Sequence, residues 1–286
     1  MILLCGVSGR VGGAAAHYLL SQGARVRGLC RSPEKMDELR SLGLEVVSGD
    51  LTDSNSIQRA LEGVKSALLV TSNNEDQLEQ ECGFATAAAL SGVGHLVKIS
   101  AIQARPDSPA PIPRTHYRAE QFIGSLGIKS TILRPGFFMQ NLLTYAQSIS
   151  AANQFEMPLG NVKTSFIDAR DVGEIAGRIL LKPGKESKAH VLTGQKMMSF
   201  HDVAEQMSSV LGREIQYIEQ SSEDFRAFLE KVIPSPWHVN ALCAQFEQIA
   251  SRNHEQDITD ESVHLLGREP NSLKRFIEDY RQAFGG

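Results

Sequence analysis

Short apolar runs alternate along the first half of the chain with longer stretches whose apolar residues recur every three or four positions. The apolar runs lie at residues 2–5, 26–30, 44–47, 67–71, 95–100 and 130–133. Between them, stretches such as residues 77–90 and 114–125 have the spacing of helices with one apolar face. Continuous apolar strands that alternate with helices are typical of a parallel sheet covered on both faces. The pattern therefore predicts an α/β fold.

A glycine-rich turn follows the first apolar run. Gly6, Gly9 and Gly12 have the spacing G-x-x-G-x-x-G, and a helical stretch and a second strand come after them. A strand–glycine loop–helix–strand unit binds a dinucleotide pyrophosphate at the helix N-terminus. We expect Gly6 to allow the tight turn, Gly9 the approach of backbone to phosphate, and Gly12 close packing of helix on strand. The sequence thus predicts a Rossmann-type doubly wound parallel sheet.

The end of the second strand indicates which dinucleotide is bound. An acidic residue there would accept hydrogen bonds from the ribose hydroxyls and favour NAD(H), but this chain has Arg31, with Lys35 nearby. A guanidinium pairs with a 2′-phosphate and stacks on adenine. Arg10 in the glycine loop adds a second positive group, whereas Lys35 taken alone is typical of a solvated surface charge. We therefore predict that NADP(H) is preferred over NAD(H).

The second half of the chain is less regular. Strand patterns at 164–167, 190–192 and 215–218 are mixed with helical patterns at 171–181, 200–211, 222–232, 237–252 and 272–284. This change near residue 153 predicts an NADP(H)-binding Rossmann domain over 1–152, to which some later segments return. Residues 153–286 are then a smaller, partly helical C-terminal substrate domain.

Composition excludes several classes of protein. The 286 residues carry a formal net charge of −4 and no basic run, which argues against a nucleic-acid partner. No apolar run approaches the length of a membrane helix, and the first strand begins at once, leaving no room for a signal peptide. The four cysteines and eight histidines lack metal-ligand spacing, so we predict no metal site and a cytoplasmic protein with free thiols.

Several motifs stand together in a recognisable order. They are the Gly6–Gly12 loop, Gly49-Asp50, Val97-Lys98-Ile99-Ser100-Ala101, Glu120, the segment 131–139, and the later segments 165–173 and 192–204. In this order the chain resembles the NmrA-like family of atypical short-chain dehydrogenases/reductases, from residue 1 to about 235. That family includes quinone and triphenylmethane-dye reductases and redox-sensing regulators. The resemblance does not specify a substrate.

The resemblance implies a set of cofactor contacts at strand ends. These are Gly6, Ser8, Gly9, Arg10, Val11 and Gly12 around the pyrophosphate; Arg31 and Lys35 at the adenosine phosphate; Asp50 and Leu51 by the adenine; Thr71, Ser72 and Asn73 under the riboses; and Ser100, Ala101, Pro135, Gly136 and Phe137 around the nicotinamide. Residues expected to line an apolar substrate pocket are Tyr117, Phe138, Met139, Asn141, Phe155 and Trp237. Each of these pocket candidates is as readily a core residue.

The catalytic pair of short-chain dehydrogenases is absent from the expected position. That pair is a Tyr and a Lys four residues apart on one helix, followed in extended members by a Glu four residues later. Counting back from Glu120 places His116 at the Lys position and Ile112 at the Tyr position. We predict His116 as the catalytic group, since an imidazole can hydrogen-bond substrate or ribose, or protonate a developing phenolate. A helix-surface histidine without a role is the alternative.

Two functions of different classes follow. The first is an NADPH-dependent reductase that transfers a hydride to a quinone-like or other conjugated small molecule, acting as a monomer or homodimer. Holding a strong hydride acceptor against the nicotinamide supplies most of what this reaction needs. The second is a non-catalytic NADP-sensing protein that binds a regulatory protein partner, which the missing Tyr–Lys pair favours. A biosynthetic imine or ene reductase is a third alternative.

Overall fold

The computed structural model describes residues 1–184, 187–251 and 257–286. Their contacts form two compact units, each drawing on several stretches of chain. Unit 1 comprises residues 1–106, 115–134 and 169–191, and unit 2 comprises residues 107–114, 135–168 and 192–286. These units are defined by contacts between residues, and the division into domains at residue 152 stays a prediction.

Unit 1 is built on a seven-stranded sheet. Its strands are β1 (Ile2–Cys5), β2 (Val26–Cys30), β3 (Glu45–Ser48), β4 (Ser66–Leu69), β5 (His95–Ile99), β6 (Ser130–Pro135) and, later in the chain, β10 (Lys188–Leu192). The order across the sheet is β10-β6-β5-β4-β1-β2-β3, and the pairs among β1–β6 are parallel. The strand order reverses direction between β1 and β4, the point at which an open α/β sheet binds ligands. The predicted Rossmann-type α/β fold is confirmed.

The helices of unit 1 connect these strands. They are α1 (Arg10–Ser21), α2 (Pro33–Ser41), α3 (Ser54–Leu61), α4 (Gln77–Leu90), α5 (Pro111–Ser125, whose first turn belongs to unit 2) and, later, α7 (Ala169–Leu181). Helices α3 and α4 cover one core, in which Leu3, Leu69, Phe84 and Leu96 are fully buried. Helices α1 and α7 pack against each other. The sheet is thus covered by helices, and the periodicity of apolar residues in the sequence predicts the apolar faces of those helices.

Unit 2 has smaller sheets and more helix. Strands β7 (Phe137–Phe138), β9 (Thr164–Ile167) and β11 (Met197–Met198) form one sheet, and β8 (Gln154–Met157) pairs in parallel with β12 (Gln216–Glu219). The helices are α6 (Ala146–Ala152), α8 (Phe200–Leu211), α9 (Ser222–Val232), α10 (Pro236–Ser251), α11 (Glu261–Leu266) and α12 (Leu273–Asp279), with a 3₁₀ helix over Met139–Tyr145. They enclose an aromatic core that includes Phe155, Phe166, Phe200 and Phe276.

Several local expectations are corrected. Helix α5 begins at Pro111 rather than at residue 114, because proline is tolerated in a first helical turn. Residues 138–150 are not one helix but a short strand, a 3₁₀ helix and α6. Asp171 is the third residue of α7 and therefore lies inside the helix rather than at its N-cap position. The expected end of a helix at residue 252 lies outside the described residues. No helix in the described part of the chain is long and apolar enough to cross a membrane.

Candidate active site

The glycine loop after β1 has no room for side chains at two positions. Gly6 has a φ of +72°, and a Cβ atom there would lie 2.6 Å from the carbonyl oxygen of Val70, at the end of β4. A Cβ atom at Gly12 would overlap the Gly6 carbonyl group, with its carbon only 2.7 Å away. The loop therefore turns tightly between the carboxyl ends of β1 and β4, and α1 starts directly against it. This is the geometry that backbone binding of a pyrophosphate needs.

The N-terminus of α1 is left open to an anion. Its N-cap is Gly9, which offers no side-chain hydrogen bond, and its first turn contains no acidic residue. By contrast, α3 is capped by the side chain of Asp53 and α8 by that of Ser199. The free amide groups and the helix dipole at α1 favour negative charge. The residues present therefore fit a dinucleotide phosphate.

Arg31 extends into solvent just beyond β2. Its side chain is 76% exposed, and its guanidinium Nη1 lies 3.5 Å from Oδ2 of Asp50, which follows β3. A backbone hydrogen bond from Thr52, followed in strength by the Thr52 hydroxyl and by Arg31, holds the pKa of the Asp50 carboxyl below its usual range. Most of the Arg31 guanidinium thus stays accessible to a second anion. Lys35, on α2, is exposed.

Polar side chains form a buried network where β4 ends. Thr71 donates a hydrogen bond of 2.6 Å from its hydroxyl to Oε1 of Glu81. Gln77 donates from Nε2 to the Thr71 hydroxyl oxygen at 3.1 Å and to Glu81 Oε1 at 3.2 Å. Both Gln77 and Glu81 are fully buried on the face of α4 that packs on the sheet. The network therefore joins a residue expected under the riboses to the interior of unit 1.

Lys98 lies at the centre of this network. Its side chain is fully buried, and its Nζ atom lies 2.9 Å and 2.8 Å from the two carboxylate oxygens of Glu81. Nζ also donates to the backbone oxygen of Ile99 at 3.0 Å and contacts Nδ1 of His116 at 3.1 Å. Burial acts to raise the pKa of Glu81, but the charge of Lys98, the neighbouring His116 and the hydrogen bonds from Lys98 and Thr71 together outweigh it, so that pKa is lowered. Lys98 and Glu81 thus form a buried ion pair that reaches His116.

His116 is held on α5 with one ring nitrogen engaged. Its side chain is 10% exposed, and its Nδ1 faces Lys98 while lying 3.9 Å from Glu81 Oε1. Burial, reinforced by the charge of Lys98, lowers the pKa of His116 to about 3. Within residues 1–184, 187–251 and 257–286, Nε2 makes no hydrogen bond to protein. The imidazole is therefore neutral near pH 7, which fits hydrogen bonding to a ligand and not proton release from an imidazolium.

A second polar cluster lies one turn further along α5. The hydroxyl of Ser100, which directly follows β5, donates to Oε1 of Glu120, and Arg134 on β6 donates to both carboxylate oxygens of Glu120. The Glu120 side chain is only 4% exposed. Glu120 thus links α5 both to β6, through Arg134, and to the carboxyl end of β5, through Ser100.

Comparison with known proteins defines the family. The model of the NmrA-like family matches residues 1–277. The chain belongs to the NmrA-like family. An NAD(P)H azoreductase of Xenophilus azovorans is 33% identical over 285 residues, which are 100% of this chain and 99% of that protein. A (4-alkanoyl-5-oxo-2,5-dihydrofuran-3-yl)methyl phosphate reductase of Streptomyces griseus is 31% identical over 288 residues, 99% of each chain.

A solved structure confirms the fold of this NmrA-like protein. The NADPH complex of the quinone oxidoreductase QOR2 from Escherichia coli matches it with a TM-score of 0.87 at 23% identity. The match covers 98% of this chain and 100% of that one. The family match over residues 1–277 extends beyond residue 235, where the resemblance of the sequence motifs ends.

The expected site residues of this NmrA-like protein divide between the two units. Unit 1 contains those of the glycine loop, of the ends of β2–β5 and of α5, namely Gly6, Ser8, Gly9, Arg10, Val11, Gly12, Arg31, Lys35, Asp50, Leu51, Thr71, Ser72, Asn73, Ser100, Ala101, His116 and Tyr117. Unit 2 contains Pro135, Gly136, Phe137, Phe138, Met139, Asn141, Phe155 and Trp237. Their roles stay predictions.

The unit 2 candidates differ in exposure. Met139 and Phe155 are buried in the aromatic core, and Phe137 packs edge-on against Phe166, with ring centroids 5.3 Å apart. Asn141 is exposed and Trp237 half-buried. A separate cavity of about 340 Å³ in unit 2 is lined by other residues, among them Phe225, Cys243 and Phe246.

The sequence analysis did not single out Glu81, Gln77 or the role of Lys98. A signal for them is present, because Glu81 and Gln77 fall on the apolar stripe of α4 with Phe84, Ala85 and Ala88. Lys98 lies between the apolar residues Val97 and Ile99 of β5. A buried charge requires a partner of opposite charge. A Glu on the apolar stripe of α4 and a Lys in the next strand, β5, therefore predict a buried ion pair between them.

Proposed function

We propose that this protein is an NADPH-dependent reductase of small conjugated electron acceptors, such as quinones and azo compounds. The observation that carries the proposal is the presence in unit 1 of both an open glycine-loop helix terminus and His116, whose Nε2 makes no hydrogen bond to the described part of the chain. The 33% and 31% identities to proteins named as reductases support the same reaction class.

Residues of unit 1 would hold the cofactor. The amides of the glycine loop and of the first turn of α1 bind the pyrophosphate, and Arg31 pairs with the 2′-phosphate, which favours NADPH over NADH. Thr71, fixed by Glu81, supports the ribose side of the site. When bound, the nicotinamide supplies two electrons and a hydrogen to the acceptor as a hydride. One proton from the solution completes the balance of a two-electron reduction.

His116 orients the acceptor. A quinone or azo group gains negative charge on oxygen or nitrogen as it is reduced, and a fixed hydrogen-bond donor stabilises that charge. A tyrosine of lowered pKa is not needed, because a conjugated acceptor is already a strong electrophile and its reduced form exchanges protons with water. Such a reductase would therefore work with His116 and Ile112 where a Lys and a Tyr would stand.

The test is a titration followed by turnover. Purified protein is titrated with NADPH and NADH by nucleotide fluorescence, and NADPH oxidation is then followed at 340 nm with a benzoquinone, a naphthoquinone and an azo dye. We expect tighter binding of NADPH and turnover of at least one acceptor, which His116→Leu reduces about a hundredfold, the typical cost of one oxyanion donor. Failure to bind either nucleotide would overturn the proposal.

Binding without turnover of any acceptor would instead favour the alternative, a non-catalytic NADP sensor that acts through a protein partner. The Nε2 atom of His116, which makes no hydrogen bond to the described residues, favours the reductase, because a reductase can use it as a donor to the acceptor.

A further inference from the structure

A buried ion pair of Lys98 and Glu81 contacts His116, and stability alone does not explain why it is there. Lys98 is fully buried in the middle of a parallel strand, and Glu81 is fully buried on α4. Burying an ion pair is often no more stabilising than burying apolar residues of the same volume. The pair therefore needs a reason other than stability.

Counting donors gives that reason. An ammonium group has three N–H donors and no acceptor. Nζ of Lys98 lies within hydrogen-bond distance of three separate groups, the Glu81 carboxylate, the Ile99 carbonyl and Nδ1 of His116. Two of these groups can only accept, and the carboxylate favours the charged ammonium. The third N–H therefore points to Nδ1, which must accept it with a lone pair. The ring proton of neutral His116 is then on Nε2.

We propose that Lys98, held by Glu81, is a positioning residue that fixes His116 in the neutral tautomer with its proton on Nε2, so that His116 acts as a permanent hydrogen-bond donor to the reducible group. The inference rests on the proposed reductase function and assigns the chemical state of its central side chain. Lys98 from β5 and Glu81 from α4 are the charged groups whose fields reach the imidazole.

The same pair prevents a proton relay through His116. If Nε2 gave its proton to the reduced acceptor and Nδ1 took one from Lys98, the Glu81 carboxylate would remain in the interior beside a neutral amine. An uncompensated buried charge is costly. The proton that completes the reduction would therefore come from water, and both His116 and Lys98 would end the reaction with the protons they began with.

The tautomer is measured directly by two-bond ¹H–¹⁵N correlation spectra of the full-length protein labelled with ¹⁵N-histidine, assigned with His116→Gln. We expect one His116 pattern, with a protonated Nε2 and an unprotonated Nδ1, unchanged from pH 5.5 to 8.5. A protonated Nδ1, or an imidazolium pattern below pH 7, would overturn the inference. This readout requires no turnover.

Variants test the role of the pair. Lys98→Met/Glu81→Gln removes both charges, while Gln at residue 81 still accepts from Thr71. We expect mixed tautomers and a kcat lowered about tenfold, a fraction of the effect of losing the donor itself. The matched control, Lys65→Met/Glu62→Gln, makes the same changes at exposed positions and should alter neither spectrum nor kcat.

Substitutions of His116 distinguish a role as hydrogen-bond donor from a role as proton-donating acid. His116→Gln retains an N–H donor without a pKa in this range, so it should keep at least ten times more kcat than His116→Leu, with unchanged NADPH affinity. Equal loss in both variants would contradict the donor role, provided that the wild-type protein turns over. If the wild type oxidises no NADPH, the proposed function fails, and the spectra alone then decide the tautomer. If the double variant does not fold, the wild-type spectra and the two His116 variants decide.

Discussion

Gly12, in the first turn of α1, lies so close to Gly6 that a Cβ atom at residue 12 would be 2.7 Å from the Gly6 carbonyl carbon and 3.0 Å from the Cα atom of Val7. The obstacle is backbone, which cannot rotate out of the way as a side chain can. The first turn of α1 and the glycine loop therefore keep their relative position only if residue 12 has no side chain.

We predict that Gly12→Ala displaces the first turn of α1 and weakens NADPH binding at least tenfold. Overpacking of this kind lowers the free energy of unfolding by roughly 1–3 kcal/mol. Gly13→Ala is the matched control, because a Cβ atom at the neighbouring glycine would lie 3.5 Å from the nearest atom, an ordinary contact. Fluorescence titration and urea unfolding measure both quantities. Equal effects of the two substitutions would show that the close approach at Gly12 is unimportant.

Arg31→Asp should reverse the dinucleotide preference. The substitution removes the cation proposed for the 2′-phosphate and places a carboxylate near the ribose hydroxyls, beside Asp50. A charge-assisted hydrogen bond contributes about 1.5–3 kcal/mol, so the ratio of KM for NADPH to KM for NADH should rise roughly tenfold or more.

Arg40→Asp is the control for Arg31→Asp, since Arg40 is an exposed arginine on α2 that pairs with Asp37. It should leave the ratio unchanged. An unchanged ratio in Arg31→Asp would assign the 2′-phosphate to other residues.

The sequence could predict the sheet and its glycine loop because both depend on local patterns. Continuous apolar runs identify β1–β6, and the helix over Gln77–Leu90 is predicted to the residue. The short strand β8 was missed. Its partner β12 lies about 60 residues away along the chain, and no local pattern identifies such a pairing.

The candidate site could be predicted only in part, for a similar reason. His116 follows from its spacing to Glu120 on one helix. Its protonation state does not, because it depends on Lys98 and Glu81 from two other elements that the fold brings within 4 Å of it. A sequence lists the groups that can titrate, whereas burial and neighbouring charges determine which of them do.

The stability of the protein should fall in acid partly because of His116. The unfolded chain binds a proton at His116 below a pKa of about 6.5, whereas the folded protein does so only near 3. Lowering the pH through 6.5 therefore favours the unfolded state. Between pH 7.5 and pH 5 this one group should lower the free energy of unfolding by about 2 kcal/mol.

Urea unfolding of the wild type and of His116→Gln across this pH range measures the contribution. The variant should lose about 2 kcal/mol less stability between pH 7.5 and pH 5. His17→Gln, which changes an exposed histidine of α1, should behave as the wild type does. Parallel curves for wild type and His116→Gln would mean that His116 is protonated normally in the folded protein, contrary to its burial.

Arg134→Met should destabilise the protein by leaving the Glu120 carboxylate without its cation. Water screens this ion pair only weakly, because the Glu120 side chain is 4% exposed and that of Arg134 25% exposed. Removing one partner of a buried pair costs about 3 kcal/mol, chiefly from the charge left behind.

Adding Glu120→Gln removes that charge while keeping an acceptor for Ser100, so Arg134→Met/Glu120→Gln should recover a substantial part of the loss in urea unfolding. Arg40→Met, which breaks an exposed pair, should change stability by no more than about 0.5 kcal/mol. If the double variant were no more stable than Arg134→Met, packing of the arginine side chain rather than its charge would account for the loss.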